Sequence, residues 1–330
     1  MSRIFNSRNK YGKHLVEAII PGWGSGETGG GVSGEIRSFG QRNITYAAQN
    51  VGSPSSGTIS KKVASYQTGQ PVTYLEITQE NDSVGRRYLK DVGDLGPPIG
   101  PSWTVVAIVK LIGNGQPSGG DPRIWTKDEG TAETNHDLML GLVSGGNIRP
   151  RMRVRLDATR TVVPDDQLQF AVVNDGWHLI SGTCRYNSVT DTSLLDMGVV
   201  YPDGRYKNIP SGLGNLAGSY NPRSTTSEAM WATAEVNDNT FEGSILAVYF
   251  FRGAILDEKE LRDLYANPWQ VFAPQRILMP MTAAAPVVEE EAGEANTAQL
   301  PSGVITLTPY DPLARASETR LRYRRQVGFV

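Results

Sequence analysis

The segment that decides the fold lies late in the chain: residues 241–274 read FEGSILAVYFFRGAILDEKELRDLYANPWQVFAP. Every residue from Ile245 to Phe251 is apolar or aromatic, which predicts a strand buried on both faces inside a sandwich. Asp257 followed by Glu260 predicts a capping box at the start of a helix, and Pro268 ends that helix. We therefore expect a central strand followed by a short helix that packs on the sandwich.

Upstream segments alternate with the two-residue period of β-strands. One such segment has two apolar faces, so we expect a second central strand there. Its first face carries Trp103, Val105, Ala107, Val109 and Leu111, and its second face carries Val106, Ile108 and Ile112. Two other segments have one apolar face each, formed by Met152, Val154 and Leu156 in the first and by Leu168, Phe170 and Val172 in the second. The opposite face of the first carries a stripe of arginines: Arg151, Arg153 and Arg155. This stripe is either a solvated sheet face or a contact surface for glycan or phosphate.

Turn chemistry and composition agree with a β-rich chain. The tripeptides Asn174-Asp175-Gly176 and Pro202-Asp203-Gly204 predict hairpins, because glycine adopts the positive φ that tight turns need. The chain has 330 residues with 36 Gly and 20 Pro, which favours many strands joined by turns. This length fits one large sandwich with appended segments.

Charge, hydropathy and cysteine content exclude several classes of protein. A net charge of -2 provides no overall field for gathering nucleic acid or an anionic membrane surface. No stretch has the length and apolarity of a membrane span, and the first ten residues lack the apolar core of a secretion signal. The single cysteine, Cys184, cannot form an intrachain disulfide, and we expect it to be buried. We therefore expect a chain made and folded in the cytoplasm, with no nucleic-acid partner and no membrane insertion.

Composition shifts divide the chain into four predicted segments: an N-terminal arm (1–12), a sandwich (13–280), an acidic Ala/Glu linker (281–298) and a basic C-terminal tail (299–330). The tail supplies the candidate assembly contacts Arg315, Arg320, Arg322, Arg324 and Arg325. Arm and linker compositions of this kind need external contacts to become ordered. We expect neighbouring chains in a larger assembly, including copies of this chain, to supply those contacts.

Residues 241–274 resemble the end of laminin-G-like, concanavalin-A-type domains, which close with a glycine, an apolar strand and a short helix. The ending Asn267-Pro-Trp-Gln-Val-Phe272 is similar to the version found in tailed-bacteriophage particle proteins. Further pieces resemble this class in the same order: Leu15–Gly24, Trp103–Lys110, Ile124–Lys127, Gly176–Thr183 and the Asp203-Gly204 hairpin. The resemblance implies an all-β, concanavalin-A-like jelly-roll β-sandwich with one short C-terminal helix, an extended N-terminal arm and a C-terminal tail.

In domains of this class the corresponding residues belong mostly to the core and the hairpins. The resemblance therefore implies that Trp103 and Trp177 pack inside and that His178 forms a hydrogen bond at a sheet edge. Members that bind sugars or calcium use rim loops rich in Asp and Asn. No calcium ligand set aligns with this sequence, so we expect no cofactor and leave calcium unassigned.

The sequence does not favour an enzyme. Sandwich glycosidases place alternating carboxylates on one strand, whereas Glu235, Asp238 and Glu242 are not spaced to share one face. None of the three histidines accompanies a Gly-x-Ser-x-Gly nucleophile turn. The absence of both patterns favours binding or assembly.

Two functions remain open from the sequence. The first is a virion structural protein, either a capsid decoration protein or a fibre or tail-accessory subunit, that acts through other virion proteins. The second is a carbohydrate-binding module that recognises host surface glycans. For the second, aromatic residues expected in loops are the candidate sugar-stacking groups: Trp125, Tyr220 and Trp231.

Overall fold

The computed structural model describes residues 10–20, 35–41, 44–52, 58–67, 69, 71–78, 85–91, 99–111, 123–129, 136–143, 149–156, 159–163, 176–210, 214–220, 227–231, 241–272, 277–278 and 306–307. The chain divides into two compact units, Met1–Phe272 and Ala273–Val330. The helices are α1 Lys10–His14, α2 Glu258–Ala266 and a 3₁₀ helix Pro268–Val271. The strands are β1 Leu15–Ile19, β2 Glu35–Gly40, β3 Thr45–Gly52, β4 Thr58–Ser65, β5 Pro71–Thr78, β6 Gly85–Asp91, β7 Trp103–Leu111, β8 Arg123–Glu129, β9 His136–Val143, β10 Arg149–Leu156, β11 Thr159–Val163, β12 His178–Asn187, β13 Thr192–Val200, β14 Tyr206–Pro210, β15 Leu216–Ala217, β16 Ser227–Trp231, β17 Gly243–Arg252, β18 Ile277–Leu278 and β19 Thr306–Leu307.

The first unit is an all-β sandwich of two antiparallel sheets, as the sequence predicted. The capped sheet, named for the helices on its outer face, runs β4-β5-β17-β7-β12-β13-β14, with β15 also beside β13. Strands β1 and β2 extend it from the second half of β17. The second sheet runs β2-β3-β6-β16-β8-β9-β10-β11.

Strand β2 belongs to both sheets and forms a corner between them. Its first half pairs with β3, and its second half pairs with β1. At this corner the buried carboxylate of Glu17 accepts a hydrogen bond from the Ser38 hydroxyl, which itself accepts one from the Ile44 amide at 2.7 Å. Gly40 has a φ of +156°, and a Cβ there would lie 2.2 Å from the Val16 carbonyl oxygen. Only glycine therefore fits at this turn between the sheets.

Apolar side chains fill the space between the two sheets. β7 and β17 are buried on both faces along nearly their whole length, which confirms the central strands expected from their apolar patterns. The Phe250 ring lies 4.8 Å from the Trp125 ring in an edge-on contact. Gly182 allows the close approach of Met152 from the second sheet, because a Cβ at this position would lie 2.3 Å from the Met152 sulfur. The fully buried Cys184 lies in this core, and its burial raises the pKa of the thiol to about 11.

Strand β10 confirms the predicted alternation. Its apolar residues point into the sandwich and are almost fully buried: Met152, Val154 and Leu156. The arginine stripe occupies the opposite face and is half-buried: Arg151, Arg153 and Arg155. The predicted strand around Phe170 lies outside the described residues.

The outer face of the capped sheet packs against α1, α2 and the 3₁₀ helix. Asp257 caps α2: its side chain accepts the Glu260 amide at 2.8 Å, and the Glu260 side chain accepts the Asp257 amide at 2.8 Å. This confirms the predicted capping box and the predicted packing of the helix on the sandwich.

Buried tyrosine hydroxyls join this helical layer to the sheet. Tyr249 donates to the Pro268 carbonyl at 2.9 Å, and Tyr66 donates to the Tyr265 carbonyl at 2.6 Å. Tyr265 in turn donates to the carbonyl of Trp177. Burial raises the pKa of Tyr66 and of Tyr249 well above the usual tyrosine range, so both hydroxyls stay protonated donors.

Two features differ from the sequence expectation. The sequence predicted one short helix, whereas the described residues also include α1 and the 3₁₀ helix. Residues 10–12 were expected in an extended arm, but they belong to α1, where Tyr11 is buried and donates to Asp263 at 3.3 Å. The aromatic ring of Tyr11 packs in the apolar cluster beneath α2, and this burial draws the end of the arm onto the domain.

The Pro202-Asp203-Gly204 hairpin forms as predicted, with Gly204 at a φ of +81° and the Tyr201 amide donating to the Arg205 carbonyl at 2.9 Å. The Asn174-Asp175-Gly176 turn lies partly outside the described residues. In the second unit, β18 and β19 form an antiparallel pair. The predicted boundaries at 280 and 298 fall outside the described residues and stay predictions. Among the helices described, none has the length and apolarity to span a membrane.

Candidate ligand-binding cleft

A polar patch interrupts the apolar outer face of the capped sheet where three strands meet. The pairings Leu179–Val200 and Val200–Tyr206 place these side chains in one row, and both aliphatic residues are buried under the helices. The next row, Ser181–Gly198–Asn208, is small and polar. This change in residue type leaves a hollow beside the start of α2.

The floor of the hollow is held by short hydrogen-bonded side chains. Ser181 donates to the Gly198 carbonyl at 3.3 Å, and Thr183 donates to the Asp196 carbonyl at 3.2 Å. Both hydroxyls therefore tie β12 to β13 below the hollow. Gly198 carries no side chain, so the centre of the floor is open.

Tyr206 forms one wall by leaning from β14 over Gly198. A Cβ at Gly198 would lie 2.7 Å from the Tyr206 hydroxyl, so the ring takes this position because residue 198 carries no side chain. Burial, with the nearby carboxylates of Glu258, Asp196 and Asp257, raises the pKa of Tyr206 to about 12. The hydroxyl is thus a neutral donor at ordinary pH, and it points toward the Asn208 side-chain oxygen at 3.4 Å.

The opposite wall is the segment that leads into α2. Ile255, Leu256, Asp257 and Leu261 line this side. Thr104 fixes the segment, since its hydroxyl donates to the Ala254 carbonyl at 2.9 Å and accepts the Leu256 amide at 3.2 Å. The resulting cleft has a cavity volume of about 230 Å³.

The cleft combines an apolar wall with planar hydrogen-bonding groups. Carboxylates come from Asp196 and Asp257, an amide from Asn208 and a guanidinium from Arg185. These groups can accept and donate hydrogen bonds with a polyhydroxylated ligand. No three His, Cys, Asp or Glu side chains within the described part of the chain are grouped so that they could hold a metal ion.

The structure places two predicted sugar-stacking residues in the core. Trp125 lies within β8 and is only 1% exposed, so the expectation of a loop residue with an open ring face is wrong. The register shift between Arg123 and Trp125 lets both Ile124 and Trp125 enter the core. Tyr220 is 7% exposed, and its ring packs edge-on against Trp103 at 5.8 Å.

The remaining predicted residues have different outcomes. Trp231 ends strand β16 and is not in a loop, but its side chain lies outside the described set, so its glycan contact stays a prediction. The same holds for the assembly contacts Arg315, Arg320, Arg322, Arg324 and Arg325. Trp103 and Trp177 are buried, as expected. His178 begins β12 between β7 and β13, so it lies in the sheet interior and not at an edge.

The sequence prediction did not include Asp196, Tyr206 or Asn208. Part of the signal was available, because the Pro202-Asp203-Gly204 hairpin fixes the pairing of Gly198 with Asn208 and of Val200 with Tyr206. This pairing places Tyr206 and Asn208 on one face. The approach of the segment before α2 is a tertiary contact that strand periodicity does not reveal.

No family model and no curated protein matches this chain. Among solved structures, domain 4 of the arabinanase AbnA from Geobacillus stearothermophilus is 12% identical, with a TM-score of 0.40 over 68% of this chain and 90% of that chain. The binding domain of botulinum neurotoxin DC, solved with rat synaptotagmin II, is 10% identical, with a TM-score of 0.42 over 79% and 53%. Tailspike protein 2 of an Escherichia coli O157:H7 bacteriophage is 16% identical, with a TM-score of 0.38 over 64% and 26%.

This chain spans about half of the toxin binding domain and about a quarter of the tailspike. The three neighbours are β-rich, like the sandwich described above.

Proposed function

We propose that this chain is a structural subunit of a tailed-bacteriophage virion that acts by protein–protein assembly and not by catalysis. The observation that carries the proposal is the closing segment 241–274, whose residues resemble phage-particle versions of the laminin-G-like domain. In the fold, this segment supplies the central strand β17, the capped helix α2 and the 3₁₀ helix Pro268–Val271. The subunit would lie on the capsid as a decoration protein, or in a fibre or tail-accessory position.

The proposed anchors are the first residues of the chain and the basic C-terminal tail. The tail arginines would meet carboxylates on neighbouring virion proteins, and copies of this chain would associate with one another. A single exposed ion pair contributes little, so several arginines would have to act together. Replacing Arg320, Arg322 and Arg324 together by Ser should reduce incorporation into particles, whereas unchanged incorporation would remove the tail from the anchoring role.

Immunogold labelling tests the virion proposal directly. An antibody against residues 100–280 is applied to particles from a lysate in which this chain is produced. Gold spread over the heads would support capsid decoration, and gold at one end would support a fibre or tail position. Intact particles without gold, in a lysate that contains the chain in free form, would contradict the proposal.

Carbohydrate recognition is the second candidate, and the cleft between β14 and the start of α2 favours it. The cleft brings acceptors, donors and an apolar wall together on a fixed floor, as sugar recognition requires. A panel of immobilised host-surface polysaccharides tests this candidate with the full chain. Retention on at least one polysaccharide, with no release of reducing ends, supports a non-catalytic binding module; the release of reducing ends would instead indicate a hydrolase.

A further inference from the structure

The lining of the cleft between β14 and α2 indicates which class of ligand it binds. This step rests on the carbohydrate-binding candidate above. We propose that this cleft binds a single hexose unit that is neutral or carries an amino group. The site lies on the outer face of the capped sheet, next to a helix. Its lining residues belong to β12, β13, β14 and the segment around the start of α2, whereas the family resemblance would suggest residues in rim loops.

The size of the cleft favours a small ligand. Pockets for drug-sized molecules have volumes of roughly 300–1,000 Å³. The cavity here is about 230 Å³, below that range. One six-membered sugar ring fits this space better than a nucleotide or a long peptide segment.

The two sides of the cleft match the two kinds of surface on a hexose. Ile255, Leu256 and Leu261 supply aliphatic contacts for the C–H face of the ring. Asp196 on β13 and Asn208 on the neighbouring β14 supply acceptors and donors for hydroxyl groups. A ligand with one apolar face and a polar edge satisfies both sides at once.

The charge distribution selects against acidic sugars. Asp196 and Asp257 line the cleft, and Glu258 lies close enough to act on Tyr206. Arg185 is the cation among the described lining residues. Glu258 pairs with Arg262 at 2.9 Å, and the carboxylates that line the cleft itself are those of Asp196 and Asp257. A ligand carboxylate would meet like charge here, whereas an ammonium group would meet opposite charge.

The floor of the cleft and the wall formed by the segment before α2 are fixed before any ligand arrives. Thr104 holds the Ala254–Leu256 segment, and the capping box holds Asp257 at the start of α2. Ser181 and Thr183 hold the floor. Binding a sugar therefore orders few protein groups, which lowers the entropic cost of association.

Saturation-transfer difference NMR on the full chain tests the proposal with glucose, galactose, mannose, glucosamine and glucuronic acid as separate probes. We expect saturation of glucosamine and of at least one neutral hexose, and a weaker effect for glucuronic acid. Asp196→Asn should weaken binding roughly tenfold, since a charge-assisted hydrogen bond is replaced by a neutral one. Asn208→Ala should reduce binding by a similar factor. Because Asn208 is exposed, we expect this variant to fold like the wild type.

The matched control is Glu76→Gln, a carboxylate-to-amide change on β5, outside the cleft. It should leave sugar binding unchanged, and circular dichroism should give the wild-type spectrum for all three variants. Wild-type-like binding by both cleft variants would overturn the assignment of the cleft while leaving the carbohydrate candidate intact. No saturation of any neutral or amino sugar would overturn the proposed ligand class, and a glucuronic acid signal equal to that of glucosamine would overturn the charge selection. The virion proposal is judged separately by particle labelling.

Discussion

The two faces of the capped sheet are covered by different kinds of contact. Toward the second sheet, aromatic and aliphatic side chains such as Trp103 and Phe250 interdigitate in a wide apolar core. Toward the helices, buried tyrosines add hydrogen bonds to backbone carbonyls, and the apolar surface stops at Ser181 and Gly198 to leave the cleft. The first face gives the domain its stability, and the second face combines stability with a concave polar surface.

The largest expected difference between the faces comes from two neighbouring phenylalanines on β17. Phe250 points between the sheets, and Phe251 points under the helices; both are fully buried. Phe250→Ala should lower the free energy of unfolding by ~3–5 kcal/mol, because the two sheets cannot close the cavity. Phe251→Ala should lower the free energy of unfolding by less, because the short helical layer can move toward the sheet and partly fill the cavity. Urea unfolding followed by tryptophan fluorescence compares the two, and an equal or reversed order would contradict the difference in rigidity.

Two glycines on adjacent strands extend the comparison. Gly182 faces Met152 between the sheets, whereas Gly198 faces Tyr206 in the cleft. Gly182→Ala should reduce stability by ~1–3 kcal/mol, because the added methyl group overpacks a buried site. Gly198→Ala should cost about 1 kcal/mol or less, since the Tyr206 ring is only partly buried and can turn outward. A larger loss for Gly198→Ala in the same unfolding measurement would contradict this assignment of the faces.

The tyrosine hydrogen bonds define the third test. Tyr249→Phe removes the donor to the Pro268 carbonyl and leaves that acceptor in a buried site. The free energy of unfolding should fall by about 1.5 kcal/mol, the usual cost of losing such a bond. Tyr74→Phe is the matched control, because Tyr74 packs its ring on Trp177 but donates no hydrogen bond within the described residues. Equal losses in thermal unfolding would show that the hydroxyl of Tyr249 contributes nothing specific.

Local signals in the sequence were sufficient for part of this architecture. β7 and β17 could be predicted because their two apolar faces are visible in consecutive residues, and α2 could be predicted because Asp257 and Glu260 are only three positions apart. Trp125 was misjudged because a register shift turns two consecutive side chains into the core, which simple alternation does not reveal. The cleft was missed because β14 and the segment before α2 meet only in the folded chain.

The smallest expected effect concerns the residue shared by the helical layer and the cleft. Asp257 caps α2 and also lines the cleft, so its hydrogen bond and its charge need separate tests. Asp257→Ala should lower stability by about 1 kcal/mol through loss of the cap, whereas Asp257→Asn should keep most of it because asparagine caps helices equally well. Lys259→Ala, on the exposed side of α2, should lower the free energy of unfolding by less than Asp257→Ala does, because it removes only an exposed ion pair with Asp263. Equal losses of stability for Asp257→Ala and Asp257→Asn in thermal unfolding would contradict the capping role. They would show that the negative charge beside the helix start, and not the capping hydrogen bond, contributes the stability. A cleft residue would then stabilise the fold electrostatically.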